Sequence, residues 1–406
     1  MIVAIAWRNI WRSKTRSLVI IIALTLGLAS GIFYMAFYKG MLDQRINSAI
    51  KTEASHIQIH HLNFLTNPDK KFIITSADSV VRVIQRKKEV KAVSSRIIVN
   101  TMIQSPTTGS GVKVTGINPE KEALVTNLHT KITEGTYFED NKRNPIVIGR
   151  KLADKLKVKL KSKVVITLQD MHGHITGAAY RVVGIYESSN TAFDELSVFV
   201  RATDLHRLLA TNENSAHEIA VLLNRNEDLA AIGQQLKSEL PLVDVKTWRE
   251  IMPEVNLLES SFRLTMFVFI GIILLALLFG IINTMLMAVL ERTKELGMLM
   301  AIGMNRIRVF AMIMLETVML SFVGGFCGIL LGWLLNLYFG AKGIDLETWS
   351  TAYKSMGFDS VVFTRLTWSI SLEIAAMVII TGIIASIFPA IKALRLKPGE
   401  AIRIDM

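Results

Sequence analysis

Four charge-free apolar stretches, unevenly spaced, limit what this chain can fold into. Leu18–Tyr38 has 21 residues, Leu264–Leu290 has 27, Thr317–Ala341 has 25 and Ile374–Ile391 has 18. A helix needs about 20 apolar residues to cross the hydrocarbon core of a bilayer. The last stretch is short, but residues 366–372 precede it across Glu373 and allow a longer, tilted helix. The sequence therefore predicts four membrane spans, one before a 225-residue polar segment and three after it.

Basic residues beside the spans predict the orientation. Residues 1–17 carry four basic residues and no acid, and the connection 291–308 and the tail 392–406 each have a net charge of +2. The loop 342–365 has three basic and three acidic residues. Positively charged loops stay in the cytoplasm. We therefore expect a multi-pass protein of the cell inner (cytoplasmic) membrane with both termini in the cytoplasm and residues 39–263 in the periplasm or extracellular space.

The N-terminal segment allows a second interpretation. Its basic start, apolar run and small residues near Gly27 also resemble a cleavable signal peptide. The apolar run continues to Tyr38, which favours an uncleaved span. Ahead of it, Trp7, Ile10 and Trp11 share one face of a predicted helix, as in a segment that lies in the headgroup layer. A basic topology anchor with interfacial tryptophans is the alternative.

Cysteine content and charge exclude several classes. The only cysteine, Cys327, lies in the third apolar stretch, so the chain has no disulfide framework. The net charge of +12 is concentrated beside the spans and in residues 142–163, where nine basic residues accompany one acid. That basic run is either a solvated face or a surface for anionic lipid headgroups. No nucleic-acid partner is expected, because the large domain is predicted to lie outside the cytoplasm.

The polar segment alternates between strand and helix periodicity and predicts an α+β domain of one or two lobes. Ser76 is the expected cap of its first helix, and Gln104–Gly111 is expected to be a loop. The predicted strands are Ser55–His60, Ser94–Met102, Val112–Ile117, Pro145–Ile148, Lys163–Leu168, Tyr180–Tyr186, Ser197–Arg201 and Glu218–Leu223, and the predicted helices are Ala77–Lys88, Arg150–Leu156, Thr203–Leu209 and Leu229–Leu240.

No catalytic motif is found in the sequence. It contains no G-x-x-x-x-G-K-[ST] phosphate loop, G-x-S-x-G turn or H-E-x-x-H motif. His56 and His60 alternate with isoleucines, which is typical of a half-exposed strand, and His172 and His174 flank a glycine in a predicted hairpin turn. Metal binding at either pair is the less favoured interpretation because acidic ligands are sparse nearby. We expect no enzyme activity, metal or cofactor in this chain.

The connection between the second and third spans is the other informative segment. It reads Glu-Arg-Thr-Lys-Glu-Leu-Gly-Met-Leu-Met-Ala-Ile-Gly-Met-Asn-Arg-Ile-Arg from Glu291 and is too long for a tight turn. The spacing of Leu296, Leu299 and Met300 favours a short amphipathic helix parallel to the membrane. Such a helix is either a structural element of the interface or a docking element for a cytoplasmic partner.

This connection resembles the signature of a known family. Glu291–Gly303 is similar to the pattern E-R-x-x-E-[IL]-G-x-x-x-A-[IL]-G of FtsX-like ABC transporter permeases, which include lipoprotein-releasing (LolC/LolE) and macrolide-exporter (MacB) permeases. Trp7–Arg16 and Phe388–Arg403 look like the family's two ends, and Glu316 followed by four glycines is similar to its third span. The one-plus-three arrangement of spans extends the resemblance over the whole chain.

The resemblance implies a transport complex. Two such permeases, identical or related, would bind two separate ATPase subunits that hold ATP and Mg, and the connection 291–308 would transmit their closure. The external domain would then squeeze or clamp substrate, a process called mechanotransmission. The residues expected to contact the ATPase are Glu291, Arg292, Lys294, Glu295, Leu296, Gly297, Leu299, Met300, Ala301 and Gly303.

Patterns in the external domain look like the LolC/LolE type, namely Val114–Glu120 and then Gly135–Phe138 followed by Ile146–Ala153. This implies release of lipoproteins from the inner membrane, with lipoprotein cargo, membrane lipid and a periplasmic carrier as partners. Acyl chains would need an apolar groove, and ordinary lipid contact or helix packing is the alternative for its residues. The groove candidates are Met35, Phe37, Phe262, Phe267 and Phe269.

Other functions remain open at this point. Export of a peptide or drug and activation of a cell-wall hydrolase are the alternatives. Macrolide-exporter-type permeases carry a fused ATPase domain ahead of the first span, whereas 17 residues precede it here. Glu316 is either a functional intramembrane acid or the partner of Arg308 or a neighbouring helix.

These predictions describe an α-helical membrane protein with four transmembrane helices and a large α+β extracytoplasmic domain between spans one and two. Its expected segments are a cytoplasmic interfacial segment (1–17), span one (18–38), the extracytoplasmic domain with a MacB-like periplasmic core (39–263), span two (264–290), the cytoplasmic coupling segment (291–308), span three (309–341), a short external loop (342–365), span four (366–391) and a cytoplasmic tail (392–406).

Overall fold

The computed structural model describes residues 2–12, 14–138 and 144–394. The predicted tail lies outside them from residue 395 onward. The chain divides into two compact units. We call the first the membrane unit and the second the large domain. The membrane unit consists of Met1–Leu42, Ser260–Asp345 and Val361–Met406, and the large domain consists of Asp43–Glu259 and Leu346–Ser360.

Four helices in the described part of the chain are long and apolar enough to cross a membrane, as predicted, including the short fourth stretch. The first extends by a π-helical turn, Ala49–Ala54. The second and third are longer than their charge-free cores because polar residues continue each helix. The helices around the membrane unit are α1 (Ile2–Arg12), α2 (Lys14–Ser48), α10 (Pro253–Glu291), α11 (Thr293–Ala301), α12 (Arg306–Lys342) and α14 (Trp368–Leu394), with a small ribbon of β11 (Ile344–Asp345) and β12 (Val361–Val362).

Glycines let the first span pack closely in the membrane unit. A Cβ atom at Gly328 or Gly332 of α12 would lie 2.8 Å from the Leu28 Cβ or the Ile32 Cγ2 of α2. A Cβ atom at Gly31 would lie 2.9 Å from the Ile273 Cδ1 of α10. Small residues allow this approach, and dispersion contacts then hold the helices together. The first span is therefore an integral part of the membrane unit.

The large domain is built on one mixed sheet with helices packed around it. The strand order is β10-β1-β9-β2-β3-β8-β5-β7-β4, and β6 pairs with β2 and β7. The pairs β3–β8 and β5–β7 are parallel and the others are antiparallel. The strands are β1 (Ile57–His60), β2 (Val90–Gln104), β3 (Gly109–Ile117), β4 (Ile132–Gly135), β5 (Pro145–Gly149), β6 (Lys163–Gln169), β7 (Ile175–Tyr186), β8 (Ser197–Arg201), β9 (Glu218–Leu223) and β10 (Asp244–Thr247), and the helices are α3 (Ala77–Gln85), α4 (Pro119–Val125), α5 (Arg150–Leu156), α6 (Thr191–Leu196), α7 (Ala202–Leu209), α8 (Leu229–Glu239), α9 (Trp248–Ile251) and α13 (Ser350–Ser355).

All eight predicted strands and four predicted helices are confirmed, with shifted ends except in β8, β9 and α5, but several details were wrong. Strand β1 is buried on both faces, not half-exposed. Its two edges pair with β10 and β9. The expected loop at Gln104–Gly111 is a tight hairpin, since residue 104 ends β2 and residue 109 begins β3. Ser76 precedes α3 but its side chain makes no capping hydrogen bond. The short strands β4 and β10 and the helices α4, α6, α9 and α13 were missed.

A buried arginine joins the sheet to α4. Arg96 in β2 lies opposite Glu218 in β9, with 2.5 Å between the Arg96 Nη1 and the Glu218 Oε1. Arg96 also donates to both Glu122 carboxylate oxygens, at 2.6 and 3.1 Å. Burial alone would raise the pKa of Glu218, but the Arg96 charge keeps that pKa below its usual value. The three side chains form one charged cluster whose members depend on each other.

Two buried histidines make the stability of the large domain depend on pH. The His56 Nδ1 accepts a hydrogen bond from the Leu223 N–H at 3.1 Å, and the His217 Nδ1 accepts from the Ile98 N–H at 3.2 Å. Both rings are thus held in the neutral form. Burial lowers the pKa of each from 6.5 to about 4.

Acidification should therefore destabilise the large domain. Between pH 6.5 and pH 4 the unfolded chain binds more protons at these histidines than the folded chain does. The stability that the neutral rings give the large domain is therefore complete above pH 6.5 and falls towards pH 4. Each of the two histidines should lower the free energy of unfolding by about 2 kcal/mol between pH 7 and pH 5. Burial raises the pKa of Asp194 to about 6, so this carboxyl acts in the opposite direction and offsets about 1 kcal/mol.

The measurement is hydrogen exchange of β9 amides in the full-length chain at pH 7 and pH 5, corrected for intrinsic rates. The expected net loss in the free energy of unfolding from pH 7 to pH 5 is about 3 kcal/mol. Replacing the exposed His129 by asparagine is the control and should leave the pH dependence unchanged. Equal stability at both pH values would show that the buried histidines do not control it.

Candidate functional site

The connection between spans two and three folds as the predicted short helix. Helix α10 ends at Glu291, Arg292 leaves the helical conformation with φ −100° and ψ 18°, and α11 follows. Gly303 has φ +100°, a backbone conformation that favours glycine. The Asn305 side chain then accepts from the Ile307 N–H at 3.1 Å and caps α12. Two breaks thus separate α11 from the helices on either side.

Ion pairs hold α11 and the end of α10 to the first two helices. The Arg12 Nη2 lies 2.7 Å from the Glu295 Oε1, and Arg16 pairs with Glu291. The Arg12 pair is largely exposed, so it contributes at most about 1 kcal/mol. Burial of Leu296 and Gly297 adds an apolar anchor. The helix is therefore fixed on one side by both charge and packing.

A buried ion pair joins the first break to the third span. The Arg292 Nη1 lies 3.2 Å from the Glu316 Oε1, and the Arg292 Nη2 donates to the Asn9 carbonyl oxygen at 3.2 Å. Both side chains of the ion pair are less than 15% exposed, at 14% and 9%. The partner of Glu316 is thus Arg292 and not Arg308. The prediction missed this pair because Arg292 was assigned to the ATPase-facing surface.

Helix α11 borders a cleft of about 390 Å³ through the buried Leu296 and the exposed Met298 and Leu299. Its walls come from α1, α10, α11 and α12, and they place the Arg292–Glu316 pair beside apolar side chains. The lining residues are Ile5, Asn9, Arg12, Met285, Ala288, Val289, Arg292, Glu295, Leu296, Met298, Leu299, Met312, Ile313 and Glu316.

Much of α11 and of the residues that flank it is exposed. Glu291, Lys294, Ala301 and Gly303 are exposed, whereas Glu295 and Met300 are half-buried. Three large apolar side chains are exposed beside them, Met298 at 57%, Leu299 at 36% and Ile302 at 79%. We call residues 298, 299 and 302 the apolar patch. The predicted contact set did not include Met298 and Ile302, because it followed the helical stripe of Leu296, Leu299 and Met300. Met298 and Leu299 are exposed although they also border the cleft.

Helix α1 packs differently from the prediction. Ile10 is buried against α12, together with Ala6. Trp7 and Trp11 are exposed at 45% and 50%, with ring centroids 6.0 Å apart. The three residues therefore do not form one lipid-facing surface, because Ile10 turns towards the protein. The exposed tryptophans keep the character expected of an interfacial segment.

The candidate groove residues differ in accessibility. Met35 is fully buried in a cluster with Ile32 and Met266. Phe37 and Phe262 are half-buried, and the Phe262 ring lies 5.5 Å from the Tyr38 ring. Phe267 and Phe269 of α10 are 42% and 40% exposed, and the Phe269 ring lies 4.7 Å from that of Tyr34. Accessible apolar surface thus comes mainly from α10.

The histidine pairs serve local structure. The His60 Nε2 contacts the Gln58 Oε1 at 3.1 Å, and its Nδ1 contacts the His217 carbonyl oxygen. In the predicted hairpin turn, Asp170 accepts from the N–H groups of His172 and His174. Within the described ranges, no group of three or more histidine, cysteine, aspartate or glutamate side chains could hold a metal ion.

Comparison with protein families identifies the class. Residues 17–239 match the model of the MacB-like periplasmic core domain, and residues 267–398 match the model of the FtsX-like permease C-terminal region. The chain belongs to the FtsX-like family of ABC transporter permeases that carry a MacB-like periplasmic core domain. It is a multi-pass membrane protein.

Three relatives illustrate the range of the family. An uncharacterized ABC transporter permease of Methanocaldococcus jannaschii is 26% identical over 99% of this chain and 97% of its own length. The pyoverdine export ATP-binding/permease protein PvdT of Pseudomonas entomophila is 26% identical over 98% of this chain, which spans 58% of that protein. The lipoprotein-releasing system transmembrane protein LolC of Neisseria meningitidis is 21% identical over 96% of this chain and 94% of its own length.

Among solved structures, the periplasmic region of MacB from Actinobacillus actinomycetemcomitans aligns with a TM-score of 0.37 and 12% identity. The alignment covers 53% of this chain and 97% of that structure.

Proposed function

We propose that this permease couples ATP hydrolysis by a separate ATPase subunit to movement of its large domain, and that it releases lipoproteins from the inner membrane. The observation that carries the proposal is the apolar patch on α11. A helix that is anchored by ion pairs and buried residues, and that still exposes large apolar side chains, suits insertion into a groove of a partner protein. Both termini and α11 are then cytoplasmic, in agreement with the basic residues beside them.

The connections of α11 suggest how force would pass through it. A partner that pushes on the apolar patch moves a helix bounded by Arg292 and Gly303. The Arg292–Glu316 pair would transmit this movement to the third span, and the Arg12 and Arg16 pairs would transmit it to α1 and α2. Glu291 and Glu295 therefore act as anchors on the permease, whereas residues 298, 299 and 302 face the ATPase.

Lipoprotein as cargo is supported by the full-length similarity to LolC and by the exposed aromatic side chains of α10. Acyl chains bind apolar surface at about 0.8 kcal/mol for each buried CH₂ group. Phe267 and Phe269 offer such surface within a span. Met35 offers none in this arrangement, because it is fully buried.

A second candidate function is export of a smaller amphiphile. Two groups of relatives that match nearly the whole chain are named for pyoverdine and macrolide export. The same ATPase coupling would then act on a different cargo. The two functions share α11 and differ in what the spans and the large domain hold.

Affinity purification of the tagged full-length chain in mild detergent, followed by mass spectrometry, tests the proposal. We expect a retained ATPase and a retained lipoprotein. Ile302→Glu should reduce ATPase retention at least about tenfold, because it places a charge in an apolar contact. The control Leu242→Glu changes an equally exposed residue, 84% accessible, in the large domain and should retain the ATPase. No ATPase on the unsubstituted chain would refute the coupling, and a small amphiphile in place of lipoprotein would favour export.

A further inference from the structure

The connection between spans three and four belongs to the large domain. Residues 346–360 cluster with that unit and contain α13. The Leu346 N–H donates to the Ser360 carbonyl oxygen at 2.8 Å and closes the segment at its ends. Strands β11 and β12 pair immediately outside it. A compact loop with adjacent ends is an Ω-loop, a form often used for function. We call residues 346–360 the strap.

The first contact of the strap is an ion pair. The Lys354 Nζ donates to the Glu187 Oε1 at 2.6 Å, and the two side chains are 32% and 37% exposed. The hydrogen bond from Lys354 lowers the pKa of Glu187. The pair lies where β7 has ended and the chain turns towards α6. The strap is thus fixed to one defined position of the domain.

The second contact is a close approach to a buried arginine. Gly357 has φ +81°, and a Cβ atom there would lie 2.7 Å from the Arg45 Nε. The Arg45 Nη1 lies 2.7 Å from the Glu53 Oε1, and both side chains are at most 10% exposed, at 7% and 10%. The positive φ and the short distance to the guanidinium both favour glycine at this contact. The contact is at the segment where the chain leaves the first span.

A third group joins the two contacts. The Asn190 Nδ2 donates to the Glu53 Oε2 at 3.1 Å, and the Asn190 Oδ1 caps α6 by accepting from the Ala192 and Phe193 N–H groups. Helix α6 packs against α13 of the strap. The residues after the first span, the turn around Asn190 and the strap are therefore held together within the large domain.

We propose that the strap is a positioning element of the transport cycle, fixed by the Lys354–Glu187 pair. It attaches the connection between spans three and four to the same part of the large domain that receives the chain from the first span. Movement of the first, third and fourth spans would then be transmitted to the same part of the large domain. The inference rests on the proposed function, in which the large domain moves during ATP hydrolysis.

A charge-reversal cycle tests the strap. The variants are Lys354→Glu, Glu187→Lys and the double variant, with Lys237→Glu as control because the Lys237–Glu250 pair is similarly exposed, at 39% and 37%, with a separation of 2.9 Å. Each single variant should raise hydrogen exchange of residues 346–360 roughly fivefold and reduce cargo release by the ATPase-bound complex by a similar factor. The double variant should restore both, and the control should change neither.

Faster exchange of the strap with undiminished cargo release would overturn the positioning role. Failure of the double variant to restore the strap, with β9 exchange unchanged, would overturn the role of the ion pair. Lys354→Gln is a milder variant if charge reversal also loosens β9, and it should act in the same direction. Hydrogen exchange needs no ATPase, so failure of the proposed function is seen separately, as an unsubstituted chain that retains no ATPase.

Discussion

Replacing Gly297 with proline should uncouple ATP hydrolysis from transport while the large domain stays folded. Gly297 is a buried position in the middle of α11. Proline there removes a backbone N–H donor and clashes with the preceding turn, at a cost of about 3 kcal/mol or more. The anchored side of α11 would then be lost, and the apolar patch would no longer be held in one orientation. We expect cargo release to fall at least about tenfold. A tenfold change corresponds to a loss of about 1.4 kcal/mol of coupling free energy.

The measurement compares ATP hydrolysis and cargo release by the purified complex. Gly297→Ala, which keeps the N–H group, is the matched control and should stay coupled. Glu291→Lys removes the Arg16 pair and should uncouple more weakly, because that pair is partly exposed. Normal coupling in both Gly297→Pro and Glu291→Lys would remove α11 as the transmitting element.

Loss of Arg96 should destabilise the large domain by about 4 kcal/mol or more. Arg96→Ala leaves the Glu122 and Glu218 carboxylates buried, at 1% and 2% exposure, without their counter-charge. Breaking a buried pair in this way costs about 3–5 kcal/mol, and here two carboxylates lose the same partner. The loss should appear as faster hydrogen exchange in β2 and β9 of the full-length chain.

Two further variants separate charge from packing at this cluster. Arg96→Met combined with Glu122→Gln and Glu218→Gln removes the charges together and should recover most of the stability. Arg82→Ala changes an exposed arginine of α3 and should stay within about 0.5 kcal/mol of the unsubstituted chain. If Arg96→Ala exchanges as slowly as the unsubstituted chain, the cluster is not a main support of the sheet.

Much of the fold could be predicted because length and hydrophobic period act locally. A run such as Leu264–Leu290 has few alternatives to a spanning helix, and β8 and β9 were predicted to the residue. The four-residue strands β4 and β10 were missed because such short segments have no clear period. The two-sided burial of β1 depends on what packs on both faces of the sheet, which no local pattern contains.

The position of α11 in the sequence could be predicted, but which of its residues are buried and which are exposed could not. The spacing of Leu296, Leu299 and Met300 located α11, yet only the tertiary arrangement shows that residue 296 is buried and residue 299 exposed. The Arg292–Glu316 pair joins residues 24 positions apart across a helix break. A charged residue in a signature motif is ambiguous in sequence, because a partner contact and an internal ion pair require the same side chain.

Site-specific cross-linking from the apolar patch in intact cells would show directly whether α11 docks an ATPase. A cysteine at position 302, in a chain whose only native cysteine is replaced by Cys327→Ser, would carry a short thiol-reactive photo-cross-linker, with position 242 of the large domain as the control. We expect a cross-link from position 302 to an ATP-binding subunit and none from position 242. Cross-links from position 302 to lipid alone would contradict this expectation, because α11 would then lie in the membrane interface without docking an ATPase.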